Sequence, residues 1–310
     1  MSKEKELSQE AKEDLINHGV ALSSQLTDAD LKRLERKLLE SPTFKLAFED
    51  DDFLGQRDMR GVRLQLEMRK PDMALKENKI SSTIVVFGGT RILSEEQSQI
   101  KITKLESKLK ENPDDPELQR KLRVAKNVLS KAHYYEEARK FGRLVSSQCQ
   151  IGDQCEYVIV TGGGPGVMEA ANRGAFDINA KTIGLNIVLP EEQAPNPYIT
   201  PELCFQFHYF AVRKMHFLMR ARALVVFPGG YGTLDEMFEA LTLVQTKKAR
   251  VLPIILFGKS FWEKIINFDN LVEEGVINPE DRDLFRYAET AEEAWEIIRE
   301  ANHLHDGEIT

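Results

Sequence analysis

Cysteine is scarce in this chain, and the three present, Cys149, Cys155 and Cys204, suggest no covalent framework. They form no Cys-x-x-Cys pair and leave an odd thiol, which argues against both a disulfide scaffold and a zinc site. No apolar run approaches the roughly 18 residues that would span a bilayer. Lysines and arginines form no run of the kind a nucleic-acid surface needs, and a formal charge of −8 with interspersed signs disfavours polyanions. The first twenty residues are charged and polar rather than signal-like, so a cytoplasmic protein without a membrane anchor is expected. His133, His208 and His216 show no metal spacing, and His303 with His305 falls in a polar tail, so no metal is expected. There is no internal repeat and no low-complexity tract.

What remains is an ordinary globular composition of 310 residues, 42% hydrophobic, enough for one large α/β domain and an appendage. Residues 1–78 read as highly charged helices, with a start signal at Thr27-Asp28-Ala29-Asp30 and an acidic break at Glu49-Asp50-Asp51-Asp52. They are expected to form an N-terminal helical appendage to a domain covering 79–310. From Ser82 onward, short β-branched runs alternate with helical stretches: Thr83 to Phe87, Tyr157 to Thr161, Thr182 to Val188, Ala223 to Phe227 and Val251 to Phe257. Such alternation predicts a parallel sheet with helices on both faces. The first crossover is long and is broken at Asn112-Pro113-Asp114-Asp115-Pro116, which predicts a helical insertion around 94–130.

Three glycine-bearing turns follow strands: Phe87-Gly88-Gly89-Thr90-Arg91, Thr161-Gly162-Gly163-Gly164-Pro165-Gly166-Val167-Met168, and Phe227-Pro228-Gly229-Gly230-Tyr231-Gly232-Thr233. Open parallel sheets bind ligands at the carboxyl ends of their strands. Glycine turns that open into helices offer free N–H groups and a positive dipole end to an anion. A dinucleotide fingerprint fails, because counting from Gly162 its last glycine falls at Val167 and from Gly164 at Glu169. A Walker-type loop ending in Gly258-Lys259-Ser260 fails as well, its first glycine falling at Pro253. A smaller phosphate ester is the better guest.

Two further features surround the third turn. A helix predicted from Tyr209 to Arg222 carries Arg213, His216, Phe217 and Arg220 on one face, either as a solvated basic face or, given its apolar neighbours, with an enclosed arginine that needs an anionic partner. Glu236 follows Thr233 by three residues. That spacing fits a carboxylate beside a bound sugar phosphate, and it equally fits a capping box in which Thr233 and Glu236 satisfy helix-start N–H groups.

Together the Gly162–Met168 turn, Arg213-Lys214 and Pro-Gly-Gly-Tyr-Gly-Thr-x-x-Glu resemble the LOG (Lonely Guy) family over roughly residues 82–258. The long crossover and Tyr134-Tyr135-Glu136-Glu137-Ala138-Arg139 look closer to the larger bacterial nucleotide 5′-monophosphate nucleosidases of that superfamily than to its short members. The resemblance implies a Rossmann-like, doubly wound α/β fold and hydrolysis of the N-glycosidic bond of nucleoside 5′-monophosphates to free base and ribose 5-phosphate. It implies no cofactor, and a homodimer or higher homo-oligomer. By motif position, the catalytic pair would be Arg213 and Glu236. Substrate contacts would come from Gly88, Gly89, Thr90, Gly163, Gly164, Gly166, Glu191, Lys214, Gly229, Gly230, Tyr231, Gly232, Thr233 and Thr242. Gly89 stands where many members carry serine, and Glu169 where the short members have glycine. Family members are also labelled lysine decarboxylases, but no constellation for a pyridoxal phosphate lysine is present. The competing expectation is a carrier that binds a nucleotide or cofactor on the same fold without cleaving it.

Overall fold

The run Thr83–Phe87 (β1) is buried at every residue, and the same holds for Val158–Thr161 (β2) and Ile254–Phe257 (β6). Strands buried on both faces are what a parallel sheet covered by helices requires. The computed structural model describes residues 26–150, 155–190 and 194–306. Its sheet has seven strands in the order β4-β3-β2-β1-β5-β6-β7, every pairing parallel, with β3 at Thr182–Ile187, β4 at Cys204–Phe207, β5 at Ala221–Val226 and β7 at Phe285–Ala288. Chain order reverses between β1 and β5, so the turns after those two strands open onto a crevice at the sheet's carboxyl edge.

Successive residues of each strand feed different cores. Val85, Phe87, Val160, Leu224 and Val226 point to one face, where they meet Val212 and Phe217 of α8 (Phe210–Met219) and Met237 and Ala240 of α9 (Tyr231–Gln245). Ile84, Val86, Ile159, Val225 and Ile255 point to the other. There they meet α6 (Ala132–Cys149), α7 (Val167–Phe176) and α12 (Ala291–Asp306) through residues such as Phe141, Ala171 and Ile298. This period-two division is the doubly wound α/β arrangement expected from the strand runs.

The edge strands β4 and β7 were not anticipated. Each is four residues long and only half buried, so neither presents the unbroken β-branched run that marks an interior strand. The helix expected over Tyr209 to Arg222 stops at Met219, and Ala221 and Arg222 already belong to β5. The long crossover is a helical hairpin, α4 (Glu95–Glu111) and α5 (Pro116–Leu129), with Ser94 and Asp115 as caps and Pro116 at the first position of α5.

The N-terminal start signal is realised by a capping box between Thr27 and Asp30 at α1 (Asp28–Leu39), and Asp50 caps α2 (Asp51–Gly55) at the acidic break. The chain divides into two compact units between Arg63 and Leu64, ahead of the border near 78 that composition suggested. The reason lies in α3 (Arg60–Glu77): its residues Leu64, Met68, Ala74 and Leu75 pack on the sheet core, so most of that charged helix belongs to the α/β unit.

Candidate active site

The three glycine turns are laced together. Phe227 N–H donates to the Phe87 carbonyl at 2.8 Å, and Gly89 N–H donates to the Pro228 carbonyl at 2.9 Å, which joins the first turn to the third. Gly166 has φ +75°, and a Cβ there would fall 2.4 Å from the Gly89 carbonyl oxygen. Only glycine accommodates both that backbone and that approach. The Val167 N–H is spent on the same carbonyl at 3.3 Å, so the start of α7 is tied down by the first turn.

The start of α9 is different. Gly230 is its N-cap, no side chain caps it, and Tyr231, Gly232 and Thr233 of its first turn all line the crevice. An uncapped helix N-terminus facing a cavity is a ready anion site. This arrangement also decides between the two accounts of Glu236. With Gly230 as the cap, Thr233 is the third helical residue and Glu236 the sixth, so the pair is no capping box. The Thr233 side chain instead folds back over Gly229, whose Cβ position would lie 2.1 Å from Thr233 Oγ1.

The crevice has a volume of about 600 Å³. Arg213 of α8 and Glu236 of α9 meet in its wall, with Arg213 Nη2 3.5 Å from Glu236 Oε1 and side chains only 13% and 7% exposed. The guanidinium lies against the Phe210 and Phe217 rings, at 5.2 and 5.5 Å from their centroids. Nη1 makes a long bond of 3.5 Å to the Leu185 carbonyl, and Nε is buried without a partner among the described residues. The enclosed form of the basic helix face is therefore the one realised, and His216 on the same face is buried too. Burial pushes the Glu236 carboxyl up to about 7, against the opposing pull of Arg213 and then Lys214. Burial likewise lowers the Arg213 pKa, partly offset by Glu236 and Asp235.

Gly88, Gly89, Thr90, Gly164, Gly230, Tyr231, Gly232 and Thr233 line the crevice together with Arg213 and Glu236. Other expected contacts stand back from it. Lys214 points along α9, its Nζ 2.8 Å from Asp235 and 3.0 Å from Glu239. Thr242 donates to the Phe238 carbonyl of its own helix at 2.7 Å. Gly163, Gly166 and Gly229 shape the turns without lining the cavity, and Glu191 lies outside the described residues. Motif reasoning does not reach Asn186, Cys204, Phe205 and Gln206, which line the crevice from β3 and β4. Asn186 is visible in the sequence as a polar residue inside the apolar run from Thr182 to Val188, but its place in the wall depends on the pairing of β3 with β4.

Fold and site together define a doubly wound α/β protein with an uncapped helix N-terminus beside a buried arginine–glutamate pair at its switch point. Residues 168–298 match the family model described as "Possible lysine decarboxylase". The chain is 27% identical over 157 residues to a protein of Oryza sativa subsp. japonica named "Probable cytokinin riboside 5′-monophosphate phosphoribohydrolase", covering 48% of this chain and 71% of that protein. It is 28% identical over 153 residues to a cytokinin riboside 5′-monophosphate phosphoribohydrolase of Arabidopsis thaliana, covering 48% and 69% respectively. A solved Moco carrier protein from Chlamydomonas reinhardtii overlays at TM-score 0.40 and 16% identity over 71% of this chain and 96% of that one, too partial a likeness to inform function. The chain is thus similar over about half its length to LOG-type phosphoribohydrolases, the family its motifs resemble. The decarboxylase description finds no counterpart in the crevice, since no lysine lines it among the described residues and Lys214 is held by two carboxylates.

Proposed function

We propose that the protein hydrolyses the N-glycosidic bond of nucleoside 5′-monophosphates, releasing free base and ribose 5-phosphate. The observation that carries this is the buried Arg213–Glu236 pair set beside the uncapped start of α9. The phosphate would occupy the amides of Tyr231, Gly232 and Thr233, with the pentose against Glu236. Breaking the bond between the anomeric carbon and the base nitrogen leaves positive charge on the ring and negative charge on the base. Water supplies the new oxygen–carbon bond; one of its protons stays on the new anomeric hydroxyl and the other ends on the base nitrogen. Glu236 as carboxylate stabilises the ring charge or takes the proton of the attacking water, a role suited by a pKa near neutrality. Arg213 balances the phosphate or the departing base. Fixed groups of this kind contribute roughly 3–4 kcal/mol each to lowering a barrier.

A carrier needs the glycine turns but has no use for a desolvated arginine–glutamate pair, which is costly to bury, so cleavage is the favoured activity. We further place the protein in the cytoplasm, where three unpaired thiols are at home. We take it to be a homodimer or larger, because Tyr231 at the crevice rim is 93% exposed and Met215, Met219 and Phe238 are exposed on the same two helices. Incubation with a panel of nucleoside 5′-monophosphates, followed by assay of free base and ribose 5-phosphate, tests the activity. Equal amounts of both products are expected. Binding without release of base would establish the carrier instead.

A further inference from the structure

The helix α8 that presents Arg213 starts at the N-cap Tyr209, whose own side chain makes no capping bond. The cap comes from α3, well over a hundred residues earlier. Both oxygens of Glu67 are used, Oε1 accepting from His208 N–H at 2.8 Å and Oε2 from Tyr209 N–H at 3.2 Å. A carboxylate at a helix start is also favoured by the helix dipole. Two more ties follow along the same pair of helices. His216 Nε2 donates to the Glu67 carbonyl at 3.2 Å, and Arg220 at the end of α8 pairs with Asp72.

The first of these ties bears directly on the catalytic arginine. Arg213 N–H donates to the Tyr209 carbonyl at 3.2 Å, closing the first turn of α8, and the Phe210 ring flanks the guanidinium. Any shift of residues 208 and 209 therefore carries Phe210 and Arg213 with it. We propose that Glu67 is a positioning residue for Arg213: by holding the two N–H groups ahead of α8 it sets the distance between the guanidinium and Glu236. The tie at Asp72 lies about three turns farther on, at the far end of α8, and holds the helix without setting that distance.

The activity arm of the test rests on the hydrolase reading, and the titration arm does not. Charged and titratable groups around the Glu236 carboxyl are Arg213 and Lys214, which lower its pKa, and Glu239 and Asp235, which raise it. If Arg213 retreats, the Glu236 pKa must rise. The experiment follows the Glu236 carboxyl carbon by NMR through a pH titration of full-length wild type, Glu67→Ala and Asp72→Asn, with turnover measured alongside. In Glu67→Ala the Glu236 midpoint is expected to rise by about one pH unit, the scale of losing a nearby opposite charge. Turnover is expected to fall by about tenfold to a hundredfold, as for a displacement of about 1 Å at a reacting group. Asp72→Asn should leave the midpoint in place. An unchanged midpoint in folded Glu67→Ala overturns the proposal, and so do equal shifts in both variants, which would make α3 a general strut. Should Glu67→Ala fail to fold, Glu67→Gln keeps one acceptor oxygen, and a smaller rise supports the proposal while none overturns it. If even the wild type releases no base, the hydrolase reading fails while the titration still decides the role of Glu67.

Discussion

Replacing Glu236 by glutamine removes one charge while keeping the shape of a side chain that is 7% exposed and faces Arg213. Its carboxyl pKa is displaced from 4.5 to about 7, and burial is the main cause. At about 1.4 kcal/mol per pH unit, that displacement is worth about 3 kcal/mol at most. The sign follows from proton binding. Between 4.5 and 7 the folded wild type keeps a proton that the unfolded chain gives up, so this group's contribution to stability is full below 4.5 and is lost as pH rises through 7. The amide variant has no such loss. Melting temperatures measured from pH 4.5 to 8 should therefore show the variant gaining on the wild type across that window. Turnover at pH 7.5 should fall by about 10² or more, because the ring charge loses its counter-charge. Parallel melting curves would mean that the carboxyl titrates as an exposed group. Unchanged turnover at normal stability would remove Glu236 from the chemistry.

Arg213→Lys keeps the positive charge but loses the planar fork that reaches Glu236 and lies against Phe210 and Phe217, and kcat/KM should drop at least about tenfold in steady-state assays. Nucleosides lacking the 5′-phosphate cannot use the amides at the start of α9, so their kcat/KM should fall by roughly 10² or more, and inorganic phosphate should inhibit competitively. Gly166→Ala forces a side chain onto φ +75° and into the Gly89 carbonyl, and urea unfolding should register a loss of about 1–3 kcal/mol or more.

The interior of the fold was legible because β1, β2 and β6 are buried on both faces and so are apolar without interruption. The rim was not. β4 and β7 are short edge strands whose alternation carries little periodic signal, and with β4 went the wall formed by Asn186, Phe205 and Gln206. At the site, glycines and the Arg213–Glu236 pair could be read from motif and spacing. Lys214 could not be placed, since adjacency in sequence put it next to Arg213 while the helix turns it away toward Asp235 and Glu239. The spacing Thr233-x-x-Glu236 was ambiguous until the cap was seen to be Gly230. The contribution of α3 was hidden because the contacts of Glu67 to residues 208 and 209 are wholly non-local.

The central claim is that the phosphate-anchored pentose lies against the carboxyl of residue 236. A crystal structure of the Glu236→Gln variant with a bound nucleoside 5′-monophosphate measures this directly. The account predicts phosphate oxygens on the amides of Tyr231, Gly232 and Thr233, and the residue 236 side chain roughly 3–3.5 Å from the anomeric carbon or from a water poised to attack it. A nucleotide whose phosphate sits elsewhere, or whose anomeric carbon is well out of reach of residue 236, would contradict it.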